Sequence, residues 1–326
     1  MTRVAIIMGG FSSEWQISLK SGEVVYQQLD RAVYEPYRVQ IFKDKWVCLD
    51  QNDNEFVINR NDFSVSLGDH RIQFDVVFNA IHGTPGEDGL MQAYFELLGL
   101  PITGCSHYLS ALTFNKRDML SVLRPYGIAM AQSVYINNGD EINVQSIIDQ
   151  VGLPCFVKPN RSGSSFGISK VHDVADLPNA LEKAFDEDHE VLIEQFLAGT
   201  EVSVGVIHFQ GKTMVLPITE IVSENDFFDY EAKYLGKSQE ITPARLDAVT
   251  QKKVADTALK VYNTLGMTGF SRSEYILVEG EPHLLEMNTI PGLTNESILP
   301  QQAHAAGISM PDLFAAAISE ALAKNN

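Results

Sequence analysis

Apolar and polar positions along this chain alternate between strand-like and helical periods. Val4 to Met8 is a short continuous apolar run ending in Gly9-Gly10, which predicts a buried parallel strand opening into a loop. A helical pattern follows from about Ile17. Phe74 to Ile81 predicts a second buried strand, ending in the loop "HGTPGEDG", and "LMQAYFELLGLP" predicts a helix stopped by Gly99 and Pro101. "NKRDMLSVLRPYGIAMAQ" reads as a helix ending near Pro125-Tyr126-Gly127. "PCFVKP" and "HEVLIEQFL" then frame the Gly/Ser-rich loop "NRSGSSFG". From about residue 197 two strand-like runs precede the helix "AVTQKKVADTALKVYNTLG", a hairpin follows, and "MPDLFAAAISEALAK" predicts a last helix.

Strands alternating with helices make residues 1–104 an N-terminal α/β layer with parallel strands. Residues 105–196 and 197–326 read as two further α/β or α+β modules, joined without a flexible linker. A length of 326 residues accommodates three modules of ordinary size. The net charge of -18 argues against nucleic acid or an anionic membrane as the main partner, although a few local lysines can still bind phosphate. Cys48, Cys105 and Cys155 are odd in number and far apart, which fits a reducing compartment rather than a disulfide framework. No apolar run approaches a membrane span, and a cytoplasmic location is expected.

Two stretches carry candidate chemistry. In "KPNRSGSSFG", Gly163 and Gly167 permit close backbone approach, Ser164 and Ser165 add hydroxyl donors, and Lys158 stands just upstream. Such a loop forms an anion-binding nest when its N–H groups converge, and is otherwise an ordinary surface hairpin. It is not a Walker loop: in "QGKT" five residues, not four, separate Gly205 from Gly211, and the segment lies between two strand-like runs. The other stretch is the hairpin "SRSEYILVEGEPHLLEMNTIPG". Glu286 and Asn288 share a strand face, as do Arg272 and Glu274. An odd-length loop centred on Gly280 places Glu274 opposite Glu286; an even one does not. Facing carboxylates repel unless a cation is present, and Mg²⁺ takes oxygen ligands of this kind. A salt-bridged, solvent-facing strand side is the alternative.

With "GGFSSEWQISLKSG", "HGTPGEDG", "VKPNRSGSSFG", "EQFLAGTE", "FFDYEAKY", "GFSRSEY" and "LLEMNTIPGLTNESILP" in order from end to end, the chain resembles the D-alanine–D-alanine ligases of the ATP-grasp superfamily. The resemblance implies an ATP-grasp fold and ligation of two D-alanines through an acyl phosphate, for peptidoglycan precursor synthesis. It implies that Lys116, Lys158, Ser165, Glu194, Glu201 and Lys233 bind ATP, and that Glu274, Glu286 and Asn288 hold Mg²⁺ or Mn²⁺. Glu14 then pairs with the first D-alanine's ammonium, linked through Ser164 and Tyr234 to a closing loop. Arg272 and the Gly292 N–H serve as oxyanion donors, His82 lies near the first substrate, and Ser297 and Ile298 receive the second D-alanine's carboxylate. Relatives are commonly homodimers.

Two positions depart from the family pattern: Glu274 stands where aspartate is usual, adding one methylene, and Ile298 where leucine is common. A D-alanine–D-lactate or other dipeptide ligase is the alternative within the family, and Tyr234 argues against depsipeptide formation. A non-catalytic nucleotide-binding protein has only Glu274 in its favour. A dinucleotide-binding oxidoreductase is disfavoured because no GxGxxG follows the first strand.

Overall fold

The computed structural model describes residues 1–163, 165–223 and 238–324. The first sheet uses β1 (Thr2–Gly9), followed by helix α1 (Trp15–Gln28), then β2 (Tyr34–Ile41), β3 (Trp46–Leu49), β4 (Glu55–Asn59), β5 (Ser64–Leu67), β6 (His70–Ile72) and β7 (Val76–Asn79). The strand order is β6-β5-β4-β3-β2-β1-β7. β1 runs parallel to both β2 and β7, so the predicted parallel layer holds for these three strands. From β2 to β6 the sheet is an antiparallel meander. The difference follows from connection length: α1 supplies the crossover that a parallel pair requires, while short turns can only reverse the chain.

Helices α2 (Leu90–Leu98), α3 (His107–Phe114) and α4 (Lys116–Leu123) come next, and a 3₁₀ turn over Arg124–Tyr126 ends the last of them. A four-stranded antiparallel sheet follows, built from β8 (Ser133–Asn137), β9 (Cys155–Pro159), β10 (Ser169–Val171) and β11 (Glu190–Gln195) in the order β10-β9-β11-β8. Helices α5 (Val144–Val151) and α6 (Leu177–Phe185) cover it, burying Ile147, Leu177 and Leu181 against Val157 and Ile193.

The third sheet contains β12 (Thr200–Phe209), β13 (Lys212–Val215), β14 (Thr219–Ser223), β15 (Ser238–Ile241), β16 (Ser271–Val278) and β17 (Glu281–Asn288). Its order is β15-β14-β12-β16-β17, with β13 paired to β12. α7 (Ala248–Leu265) precedes β16, and α8 (Ile298–Ala305) and α9 (Met310–Lys324) end the described chain. α9 packs back on the first sheet, where Leu313, Phe314 and Ile318 meet Val4, Ile6 and Phe78 in one apolar cluster. The carboxyl ends of β1 and β7, with their glycine loops, are thereby brought against the segment after β17.

Candidate active site

The β16–β17 hairpin resolves the register question left open by the sequence. Its turn is even: Val278 pairs with Glu281 across Glu279-Gly280, both with positive φ (51° and 80°). That is the twist a two-residue hairpin favours, and glycine enters it without steric cost. Alone, this turn would set Glu274 opposite Leu285. A β-bulge between Glu274 and Tyr275 shifts the register, so Glu274 pairs with Glu286 and Arg272 with Asn288. The bulge also lets consecutive residues, Leu285 and Glu286, line one cavity.

That cavity, of about 480 Å³, lies between the second and third sheets. Phe156, Ile168, Phe196, Leu197, Ile276 and Leu285 give it an apolar lining. Lys158, Ser165, Glu194, Glu201, Glu274 and Glu286 supply polar groups. Apolar walls beside a buried lysine suit a flat ring that carries anionic groups. Lys158 Nζ is 2.6 Å from Glu194 Oε2. Burial opposes the charge on Lys158, but Glu194, Glu286 and Glu201 outweigh it and hold the amine above the usual lysine pKa. Lys116 Nζ lies 3.2 Å from Glu286 Oε2 and donates to the Ser162 carbonyl at 2.9 Å. The two lysines are tied together structurally. Asn115 caps α4 by accepting from the Asp118 N–H, and also accepts from Asn160 Nδ2, one residue past β9.

A second cavity, of about 180 Å³, shares Glu286 with the first. Glu14, His82, Glu87 and Gly163 line one end, and Gly292, Ser297 and Ile298 line another part. His82 Nδ1 is 2.8 Å from the Ile290 carbonyl, which can only accept, so Nδ1 carries the proton. Nε2 then accepts from Ser21 Oγ at 2.8 Å, and Ser21 accepts from the Leu293 N–H. Burial lowers the His82 pKa against the pull of Glu14, so the ring is held neutral. Gly163 lies against Glu14: a Cβ there would come within 2.5 Å of Glu14 Oε2. The glycine thus lets the serine loop pack directly on the Glu14 carboxylate, which a side chain at 163 would have to displace. Arg272 Nη2 is 2.9 Å from Glu274 Oε1. Among the described residues Arg272 Nε and Asn288 Nδ2 are buried without a hydrogen-bond partner, as expected of groups arranged for a ligand.

The same two-part organisation appears in known proteins. Profiles described as D-ala D-ala ligase N-terminus and D-ala D-ala ligase C-terminus match residues 3–105 and 122–319. The chain belongs to the D-alanine–D-alanine ligase family. A D-alanine–D-alanine ligase of Flavobacterium johnsoniae is 66% identical over 99% of this chain and 100% of the relative. Among solved structures, a D-Ala:D-Ser ligase from Enterococcus faecalis superposes with a TM-score of 0.85 at 31% identity, covering 98% of this chain and 99% of the other. A Bacillus anthracis D-alanine–D-alanine ligase complexed with ATP gives 0.81 at 29% identity, covering 100% and 99%. The fold is ATP-grasp, and membership makes this chain an ATP-dependent, ADP-forming D-alanine–D-alanine ligase acting in peptidoglycan precursor synthesis.

The ligase brings together Lys158, Ser165, Glu194, Glu201, Glu274 and Glu286 in the first cavity, and Glu14, His82, Arg272, Glu286, Asn288, Gly292, Ser297 and Ile298 in the second. Lys116 joins them through Glu286. Ser164, Lys233 and Tyr234 lie outside the described residues. Among the described residues no three His, Cys, Asp or Glu side chains gather as a metal cluster. Two facing carboxylates and one amide nevertheless form an oxygen-rich donor set, which suits Mg²⁺ completed by phosphate oxygens.

Sequence reasoning missed Glu87. Its carboxylate accepts from the Gly83 N–H at 3.0 Å and lines the second cavity. Burial, reinforced by Glu14, pushes its pKa up to about 8. The available signal was an acid inside a glycine-rich loop that closes a buried strand.

Proposed function

We propose that the ligase works by placing ATP and two D-alanines in two cavities that meet at Glu286, and this shared residue is the observation that carries the reading. The apolar cavity takes adenine between Phe156, Phe196, Ile276 and Leu285, while Lys158, Lys116 and the loop around Ser165 take the phosphates. Glu14 receives the first D-alanine's ammonium, and neutral His82 fixes the Ile290–Leu293 segment beside it. A carboxylate oxygen of the first D-alanine attacks the γ-phosphorus, the bond to ADP breaks, and an acyl phosphate forms. The amine of the second D-alanine then adds to the acyl carbon, and phosphate leaves.

Both steps depend on placement and charge stabilisation. Arg272 and the Gly292 N–H stabilise the developing oxyanion, and a Cβ at Gly292 would approach Ser297 Oγ to 2.6 Å, so a side chain there would displace the Ser297 hydroxyl. Ser297 and the start of α8 hold the second D-alanine's carboxylate. Glu274, Glu286 and Asn288 would hold Mg²⁺, which when bound neutralises charge on the phosphates. In this reading Lys233, Tyr234 and Ser164, which lie outside the described residues, take the phosphate-binding and linking roles that the family resemblance implies. The division into residues 1–104, 105–196 and 197–326, a homodimer and a cytoplasmic location belong to the same reading. Among the described residues no helix is long and apolar enough to cross a membrane. Glu286→Gln should cut D-alanine-dependent phosphate release by about 10³-fold or more while circular dichroism stays unchanged. Release at the normal rate would refute Glu286's assignment.

A further inference from the structure

Helix α1 lies close on β1: a Cβ added at Gly22 would meet the Met8 side chain at 2.7 Å. Its buried face carries Ser18 and Ser21, three residues apart and therefore on one side of the helix. A helical serine commonly bonds back to its own preceding turn. Both of these reach outward instead. Ser18 Oγ accepts from the Gly9 N–H and donates to the Ala80 carbonyl, each at 2.8 Å, which ties the end of β1 to the residue after β7. Ser21 Oγ accepts from the Leu293 N–H at 3.3 Å and donates to His82 Nε2 at 2.8 Å, while His82 Nδ1 donates to the Ile290 carbonyl at 2.8 Å. This chain of bonds leaves the loop after β17 at Leu293 and returns to it at Ile290. Glu87 adds an anchor by accepting from the Ile290 N–H.

Such bracketing leaves the Pro291–Gly292 peptide little freedom. The Ile290–Pro291 peptide is held through its carbonyl, the Gly292–Leu293 peptide through its N–H, and the proline ring fixes φ at 291. The peptide plane between them carries the Gly292 N–H. We infer that Ser21 is a positioning residue for the oxyanion donor: through Leu293 and His82 it aims the Gly292 N–H at the developing oxyanion without touching substrate. A hydroxyl suits this task because it accepts and donates at once, and each bond polarises the next. A donor already aimed needs no reorganisation when the charge forms, which is where its benefit to the reaction lies. The first module thereby sets the geometry of a group in the third, 272 residues separating Ser21 from Leu293.

This role rests on reading the Gly292 N–H as an oxyanion donor, and the experiment tests the two separately. The full-length enzyme is assayed with ATP and D-alanine, and its affinity is measured for a dipeptide analogue carrying a tetrahedral phosphinate in place of the acyl carbon. Ser21→Ala should lower kcat about tenfold and weaken the analogue by a similar factor, with KM for ATP unchanged. Ser21→Thr, which keeps the hydroxyl, should recover most of the loss. No fall in kcat, a fall matched by an equal rise in KM for ATP, or an equal loss in both variants overturns the role of Ser21 while leaving the oxyanion placement intact. In the unsubstituted enzyme, ¹⁵N NMR of labelled histidine should show His82 protonated at Nδ1; a proton on Nε2 overturns the role without any variant. Arg272→Gln, run in parallel, should also weaken the analogue. An unchanged affinity there overturns the oxyanion placement and the role of Ser21 with it.

Discussion

Glu87 shows how a single residue can carry a pH signature that its sequence position conceals. Its folded pKa, raised to about 8, lies well above that of an unfolded glutamate. Between these two values the folded state binds more protons than the unfolded state, so this group's contribution to stability is present below about pH 4.5 and is lost as pH rises to 8. Burial of His82 acts in the opposite sense, favouring the fold above the unfolded histidine pKa and less as pH falls through it. Glu87→Gln keeps an acceptor for the Gly83 N–H and removes the titration. Its melting temperature relative to the original enzyme should therefore climb between pH 5 and 8, read by scanning calorimetry; a flat difference would mean Glu87 ionises normally. His82 was legible because it follows a buried apolar run into a glycine-rich loop. Glu87 was not, because its pKa is set by Glu14 and by burial that only the folded chain creates.

At the scale of the element, the decisive feature is a bulge. Period-two alternation correctly assigns Arg272 with Glu274, and Glu286 with Asn288, to common strand faces. It cannot say which residue faces which, because that depends on turn length and on an inserted residue. The even turn at Glu279-Gly280 and the bulge together produce the Glu274–Glu286 pairing. The bulge has a second consequence, since Leu285 is turned into the larger cavity beside Phe156 and Phe196, where adenine is proposed to bind. Leu285→Ala should raise KM for ATP about tenfold, the effect of losing roughly 1.4 kcal/mol of apolar contact, while kcat changes little. Steady-state kinetics at varied ATP checks this, and an unchanged KM would place adenine elsewhere.

At the scale of the molecule, the cavity of about 180 Å³ exists because distant parts of the chain close on one another. Phe314 of α9 stacks edge-on against Phe78 of β7 at 5.5 Å and is fully buried. His82 bonds the Ile290 carbonyl, 208 residues away. Phe314→Ala should destabilise the fold by about 3–5 kcal/mol in urea unfolding and should loosen binding of the first D-alanine more than that of ATP. An equal loss for both ligands would show that α9 supports the whole enzyme rather than this junction.

The sequence by itself determined the fold class, the family, the local elements and nearly all the residues that meet at the site, because periodicity, glycine loops and motif order are properties of neighbouring residues. It determined β1 as a parallel strand, but not the antiparallel meander from β2 to β6. The tertiary structure alone decided which carboxylate faces which, that Glu286 joins two cavities and that burial raises the pKa of Glu87. Each of these depends on burial or on contacts between residues far apart in the chain. Such contacts fix dielectric, distance and register, none of which a linear pattern encodes.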